Sequence, residues 1–176
     1  MIVSKERRAQ IERVANALIE KYDLTFPIPV SALAKELKHP IKELRPESNE
    51  DNENIAGILY LDNSILVNYM DSSQRQRFTI AHELGHLELH RRMIEESDGA
   101  NVAYRSDFSG LDPVEIEANH FAASLLMPRE QFIDKFNELK ERFGIFYNTF
   151  AVNKLAEYFN VSKVSVQHRM SYLGCK

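Results

Sequence analysis

Asp71-Ser72-Ser73-Gln74-Arg75-Gln76-Arg77-Phe78-Thr79-Ile80-Ala81-His82-Glu83-Leu84-Gly85-His86-Leu87 is the stretch on which the reading of this chain turns. Asp71, Ser72 and Ser73 offer N-cap oxygens to a helix running from Gln74 to about Arg92. Phe78, Ala81, Leu84 and Leu87 recur at helical spacing. On such a helix His82 and His86, at i and i+4, share one face and can reach a single metal ion. Glu83 follows the first histidine, where its carboxylate reaches a water at that ion. Two ligands and one general base thus sit on a single helical turn, the HExxH arrangement. Gly85 costs about 1 kcal/mol in a helix interior relative to alanine. Close approach of a second helix, carrying a third ligand, would offset that cost.

The third ligand is not found by extending the motif. The metzincin extension requires glycine at position 89 and histidine at 92, where this chain has Leu89 and Arg92. His90 continues the i, i+4 series but lies about 12 Å along the axis from His82, too far to share a small ion. It reads as an ordinary exposed histidine.

Asp112 to Pro128 supplies the better candidate. Asp112 can cap a helix, Pro113 suits its first position and Pro128 marks its end. Ala118, Phe121, Ala122, Leu125 and Leu126 form one broad apolar face, with Glu115 near its centre and Asn119 beside it. Glu117 falls on the polar side. A carboxylate aimed into a core is costly unless paired or metal-bound, which makes Glu115 the third ligand and Glu117 the fallback. Asp112 and Glu115 also fit a capping box, the structural alternative for Glu115. Ala118 and Ala122 are small enough for close approach to Gly85. Asn119 reads either as an acceptor for the second ring N–H of a ligand histidine or as a plain surface residue.

Arg77 to His86, together with Glu115-x-x-Ala118-Asn119-x-Phe121-Ala122 closing in Leu125-Leu126-Met127-Pro128, resembles the ImmA/IrrE metallo-endopeptidases. The resemblance implies zinc held by His82, His86 and Glu115, with Glu83 as the base. It implies a cytoplasmic endopeptidase whose usual substrate is a helix-turn-helix repressor, its cleavage derepressing mobile-element or stress-response genes. It also marks Ile55 to Tyr60, through Ile55, Gly57 and Leu59, as an edge strand pairing with substrate; a purely structural hairpin over the active helix is the alternative. The fold it implies is α+β, a mainly helical zincin-like domain with a small antiparallel sheet over residues 1–128, then a helix-turn-helix-like C-terminal part over 129–176. Two histidines and a carboxylate also suit iron.

Composition fits a chain with a sizeable core: 176 residues, 44% hydrophobic, net charge −4, which argues against broad nucleic-acid binding. No apolar run is long enough for a membrane span, and the N-terminus shows no signal-peptide pattern. The one cysteine, Cys175, excludes an intrachain disulfide. Helices are expected from Ser4 to about Tyr22 and from Val30 to Leu37. A short strand is expected at Ile41 to Arg45, and a hairpin from Ile55–Leu61 and Ile65–Tyr69 through Asp62-Asn63-Ser64. Glu47 to Asn54 reads as an exposed loop, and Ser97 to Gly110 as a mobile loop joining the two ligand helices and able to act as a lid.

Leu155 to Met170 follows helix-turn-helix logic. Ala156 sits at the crossing, Asn160 takes the left-handed turn position, Ser162 caps the second helix and Val166 packs back. Lys163, Gln167, His168 and Arg169 would lie on its surface, in a segment of net charge +3 over residues 151–176. That helix could read DNA. The modest charge favours instead a helical pair that packs on the core or holds a protein substrate. His39 and His168 read as structural. Tyr104 and His120 are candidates for a second oxyanion donor. Two further classes compete with hydrolysis: a DNA-binding regulator with a vestigial metal site, and a repressor-binding partner whose zinc is structural.

Overall fold

The computed structural model describes residues 3–45, 55–60, 62–95, 102–106, 112–143 and 147–175. Side chains at 95, 102–106 and 147–149, and the expected loop at Glu47 to Asn54, lie outside that description. The described elements, in chain order, are α1 (Lys5–Lys21), α2 (Val30–Glu36), β1 (Ile41–Leu44), β2 (Gly57–Tyr60), β3 (Ile65–Asn68), α3 (Ser73–Leu89), α4 (Arg91–Glu95), β4 (Val102–Ser106), α5 (Pro113–Leu126), α6 (Arg129–Phe143), α7 (Tyr147–Phe159) and α8 (Lys163–Leu173). The fold is mainly helical α+β.

Local chemistry accounts for most of these boundaries. Ser4, Ser72, Asp112 and Ser162 cap α1, α3, α5 and α8, each side-chain oxygen accepting a backbone N–H in the first turn. Between β2 and β3, the Asp62 carboxylate accepts the Ser64 N–H at 2.9 Å while Asn63 takes φ 62°, a turn conformation that asparagine tolerates. Asn160 does the same between α7 and α8 at φ 50°.

The four strands form one sheet in the order β1-β3-β2-β4. It is mixed rather than antiparallel: β1 runs parallel to β3, while β2 pairs antiparallel with both β3 and β4. Two expectations are corrected here. The stretch Ser97 to Gly110 carries β4, so it is not simply a loop; its residues 97–101 and 107–110 lie outside the description. Because β4 pairs with β2, Gly57–Tyr60, the strand within the segment Ile55 to Tyr60, is interior and not an edge. Leu59 is fully buried, and the Ile55 carbonyl accepts a bond from the Asn68 amide. Gly57 and Leu59 therefore present no free backbone edge to a substrate, and Ile55 lies just before the strand with its carbonyl already taken.

The sheet lies on one side of α3, against β2 and β3, and α5 crosses the other side while also packing on α1. As a result Thr79 to Leu87 is buried on every face. One hydrophobic cluster includes Ile11, Leu33, Leu84, Phe121, Phe132, Phe159 and Val166, so it runs through the elements on both sides of residue 128. Arg77, on α3, donates from Nε to the Asn160 carbonyl at 3.0 Å, joining the metal-motif helix to the turn between α7 and α8. Among the described residues, no helix is long and apolar enough to cross a membrane.

Candidate metal centre

Gly85 is where the two ligand helices meet. A β-carbon there would stand 3.1 Å from Phe121 Cδ1 and 3.2 Å from Ala118 Cα. Glycine on α3 and alanine on α5 let the backbones approach until Glu115, one turn before Ala118, reaches the histidines. His82 Nε2 lies 3.0 Å from His86 Nε2 and 3.1 Å from Glu115 Oε2. His86 Nε2 lies 3.2 Å from Glu115 Oε1. The histidine side chains have no exposure, whereas Glu115 keeps 17%.

This triangle fits a small tetrahedral cation. Ligands about 2.0–2.1 Å from a zinc ion are about 3.3 Å apart at tetrahedral angles. The donor set, two imidazole nitrogens and a carboxylate, is one that zinc accepts, and iron shares the preference. His82, His86 and Glu115 form a group that could hold a metal ion. Asp112 does cap α5, with Val114 N–H donating at 3.0 Å, but the Glu115 carboxylate is turned to the histidines.

Electrostatics keep His86 and Glu115 in ligand form. Burial is the main cause lowering His86 to about 4, so its ring is neutral at pH 7. Burial alone would raise Glu115, but hydrogen bonds from His82 and His86 outweigh it and hold the carboxyl well below the usual range.

Each histidine is held from behind. His82 Nδ1 lies 3.0 Å from Asn119 Oδ1. With His82 Nε2 directed at an ion, Nδ1 carries the proton and donates it to that amide oxygen. His86 Nδ1 lies 3.4 Å from His90 Nδ1, and His90 Nε2 lies 3.1 Å from Glu117 Oε2. Arg7 Nε donates to Glu117 Oε1 at 3.0 Å. One proton arrangement satisfies this series: His86 donates to His90, His90 donates to Glu117, and Arg7 neutralises the carboxylate. The hydrogen bonds from Arg7 are the main reason the Glu117 carboxyl is held below its usual range.

His90 is thus buried, at 6% exposure, rather than an exposed histidine. Glu117, the fallback ligand, sits behind His86 and not in the triangle. The signal for His90 was present in its i+4 spacing from His86. Nothing in the local sequence marks Arg7, which arrives from α1.

Glu83 is fully buried beside β2, and a β-carbon on Gly57 would collide with Thr79 Cγ2 and stand 3.2 Å from Glu83 Oε1. Gly57 therefore lets β2 lie directly over the HExxH glutamate, a role other than substrate pairing. His120 does not join the metal group: its ring packs on Tyr172, with centroids 4.9 Å apart, and Nε2 lies 3.7 Å from Glu12 Oε1. Its position on α5, about 140° round from Glu115, explains the divergence. The Tyr104 side chain lies outside the description. Arg169, expected on the α8 surface, is 2% exposed and donates from Nε to the Met127 carbonyl at 2.9 Å. It docks α8 on the end of α5, while Lys163, Gln167 and His168 remain exposed.

An HExxH helix backed by a small sheet and crossed by a helix bearing a carboxylate is zincin-like architecture. Residues 38–171 match the Peptidase M78 pattern, and the chain belongs to that family, the IrrE N-terminal-like domain. No curated protein matches it in sequence. Among solved structures it is similar in fold to a Mycobacterium tuberculosis transcriptional regulator, with 17% identity and a TM-score of 0.64. That likeness covers 93% of this chain and 46% of the other, so the chain spans less than half the regulator's length.

Proposed function

We propose that this chain is a zinc-dependent endopeptidase acting on a protein, with His82, His86 and Glu115 as ligands and Glu83 as general base. The observation that carries the reading is the closed triangle of ligand atoms, all within 4.8 Å of one another, on the turn that holds a buried Glu83. Zinc in that position supplies Lewis acidity, making water more acidic and a carbonyl more electrophilic. Glu83 accepts the proton of the attacking water and passes it to the departing amine. Asn119 fixes the His82 ring, and His90 with Glu117 fixes the His86 ring. The side chains of His82 and His86 have no exposure, so solvent meets this group of residues at Glu115.

Membership of the family supports a substrate that is itself a helix-turn-helix repressor, cleaved in the cytoplasm to release mobile-element or stress genes. The exposed Lys163, Gln167 and His168 on α8 suit a protein or nucleic-acid partner, and the buried Arg169 weakens the case for DNA. Residues 1–128 carry the chemistry in this reading, and 129–176 hold the partner.

Glu83→Gln tests the proposal. It should retain stoichiometric zinc and an unchanged fold while abolishing cleavage of a repressor encoded nearby, read by mass spectrometry of the products. Repressor inactivation that survives this substitution would mean that hydrolysis is not the function.

A further inference from the structure

His82 faces two ways. Its Nε2 meets Glu115, and its Nδ1 meets Asn119. On the far side of Asn119, away from the ligand triangle, lies a cavity of about 730 Å³. It is bounded by the first turn of α3, by α8, and by the face of α5 that bears Ile116, Asn119, Ala123 and Met127 at helical spacing. That face is turned away from the one packed on Gly85. The volume lies within the range of about 300–1,000 Å³ typical of small-molecule sites.

The lining has one sign of charge. Among the described residues, Arg8, Arg75 and Arg169 contribute to it and no carboxylate does, although Arg75 is paired outside the wall with Asp71 at 3.0 Å. At its α1–α8 end the guanidinium carbons of Arg8, Arg129 and Arg169 lie 5.6, 5.7 and 5.5 Å from the Tyr172 ring centroid. Glu12 meets two of them, 3.1 Å from Arg129 Nε and 3.5 Å from Arg169 Nη1. The third, Arg8, pairs with no carboxylate among the described residues and donates from Nε to the Val3 carbonyl at 3.3 Å. Two buried nitrogens in the same wall, Arg169 Nη2 and His120 Nε2, have no hydrogen-bond partner among the described residues, and the guanidinium one is a donor at any tautomer of the ring. These residues are 2% and 9% exposed, and both line the cavity. A buried guanidinium N–H without a protein partner is uncommon and is free to meet a water or a ligand oxygen in the cavity. The rest of the wall is apolar, through Phe78, Ile116, Ala123, Met127 and Val164.

We infer that this cavity binds a small organic anion, a carboxylate or phosphate on an aromatic or branched aliphatic body. The head group meets Arg8 and Arg169, and the body lies along α5. Because Asn119 forms both the cavity wall and the support of His82, an occupant acts on metal affinity from outside the substrate cleft. That second part rests on the metal reading above, and the first does not.

The probes are 3-phenylpropionate, 2-phenylethyl phosphate and the neutral 3-phenylpropan-1-ol, titrated by calorimetry and saturation-transfer NMR into the full chain freed of metal, where no carboxylate can coordinate zinc. At least one anion should bind in the millimolar range or better, and the alcohol about tenfold more weakly; the tighter anion identifies the head group. Arg8→Gln should weaken the anion by a similar factor, and Ala123→Trp should abolish binding with an unchanged circular dichroism spectrum. The probe should shift zinc affinity several-fold in the wild type and not in Asn119→Ala. The site is overturned by no binding, by equal binding of acid and alcohol, by affinity unchanged in both Arg8→Gln and Ala123→Trp, or by a dimer whose partner copy fills the cavity. A protein that takes up no zinc would sink the metal reading and leave the anion result standing.

Discussion

The β-carbon that Gly85 lacks would lie 3.2 Å from both the Cα and the carbonyl oxygen of Ala118. The obstacle is backbone, which cannot swing aside as a side chain can, and it belongs to the helix that carries Glu115. Gly85→Ala gains about 1 kcal/mol of helix preference, but overpacking costs about 1–3 kcal/mol. The expected outcome in urea unfolding is a net loss for alanine and a larger one for Gly85→Val, each with weaker zinc binding. A more stable alanine variant with unchanged zinc affinity would show that the helix contact is not what sets the ligand geometry.

Glu115 and Glu117 are two residues apart and are assigned different tasks. Glu115→Ala should lose the metal outright. Glu117→Ala and His90→Phe should keep one zinc per chain but bind it about 10–100-fold more weakly, the usual effect of removing a ligand's supporting partner. Elemental analysis gives the stoichiometry, and competition with a chelating dye gives the affinity. Full zinc retention in Glu115→Ala would remove it from the ligand set.

Gly57 meets Thr79 where β2 crosses the HExxH helix. Gly57→Ala should therefore destabilise the protein and lift the strand from Glu83. Thr79→Ser removes the methyl group in the way while keeping the hydroxyl, which bonds the Arg75 carbonyl at 3.0 Å. The double variant should recover much of the lost stability in thermal melts. No recovery would mean that the Leu66 carbonyl, 3.1 Å from the added carbon, is the real obstacle.

His120 is lowered from 6.5 to about 4, chiefly by burial and next by the charge of Arg169. Between those values the unfolded chain binds a proton that the folded chain does not, so stability falls as pH drops through that window and is whole above it. The loss is at most about 3 kcal/mol. His86 adds to it in the metal-free protein, so the informative quantity is the difference between wild type and His120→Leu. The melting temperature of that variant should depend less steeply on pH between 6.5 and 4; an unchanged slope would place the sensitivity elsewhere.

The parts of this fold set by neighbouring residues were readable in the chain. Ser72, Asp112 and Ser162 announced their helices, Asp62-Asn63-Ser64 its hairpin, and Asn160 its turn. The HExxH spacing and the apolar face around Glu115 pointed to the same helix pair that the structure brings together. Elements set by distant pairing were not readable. Val102–Ser106 becomes a strand by joining β2, and that pairing turns Gly57–Tyr60 from an edge into an interior strand. His90 is buried because Arg7 and Glu117 come to it from α1 and α5. Arg169 looks like a surface residue by type, but its guanidinium caps the end of α5 at the Met127 carbonyl.

Of the three candidate ligands, only Glu115 touches solvent. In the proposed centre the histidines would set how tightly an ion is held, and the carboxylate would be the door through which it passes. Uptake and loss of metal should then follow the swing of one side chain on α5, so this centre can be thermodynamically tight and kinetically quick to exchange. A partner that covers Glu115 would trap the ion without adding a single bond to it.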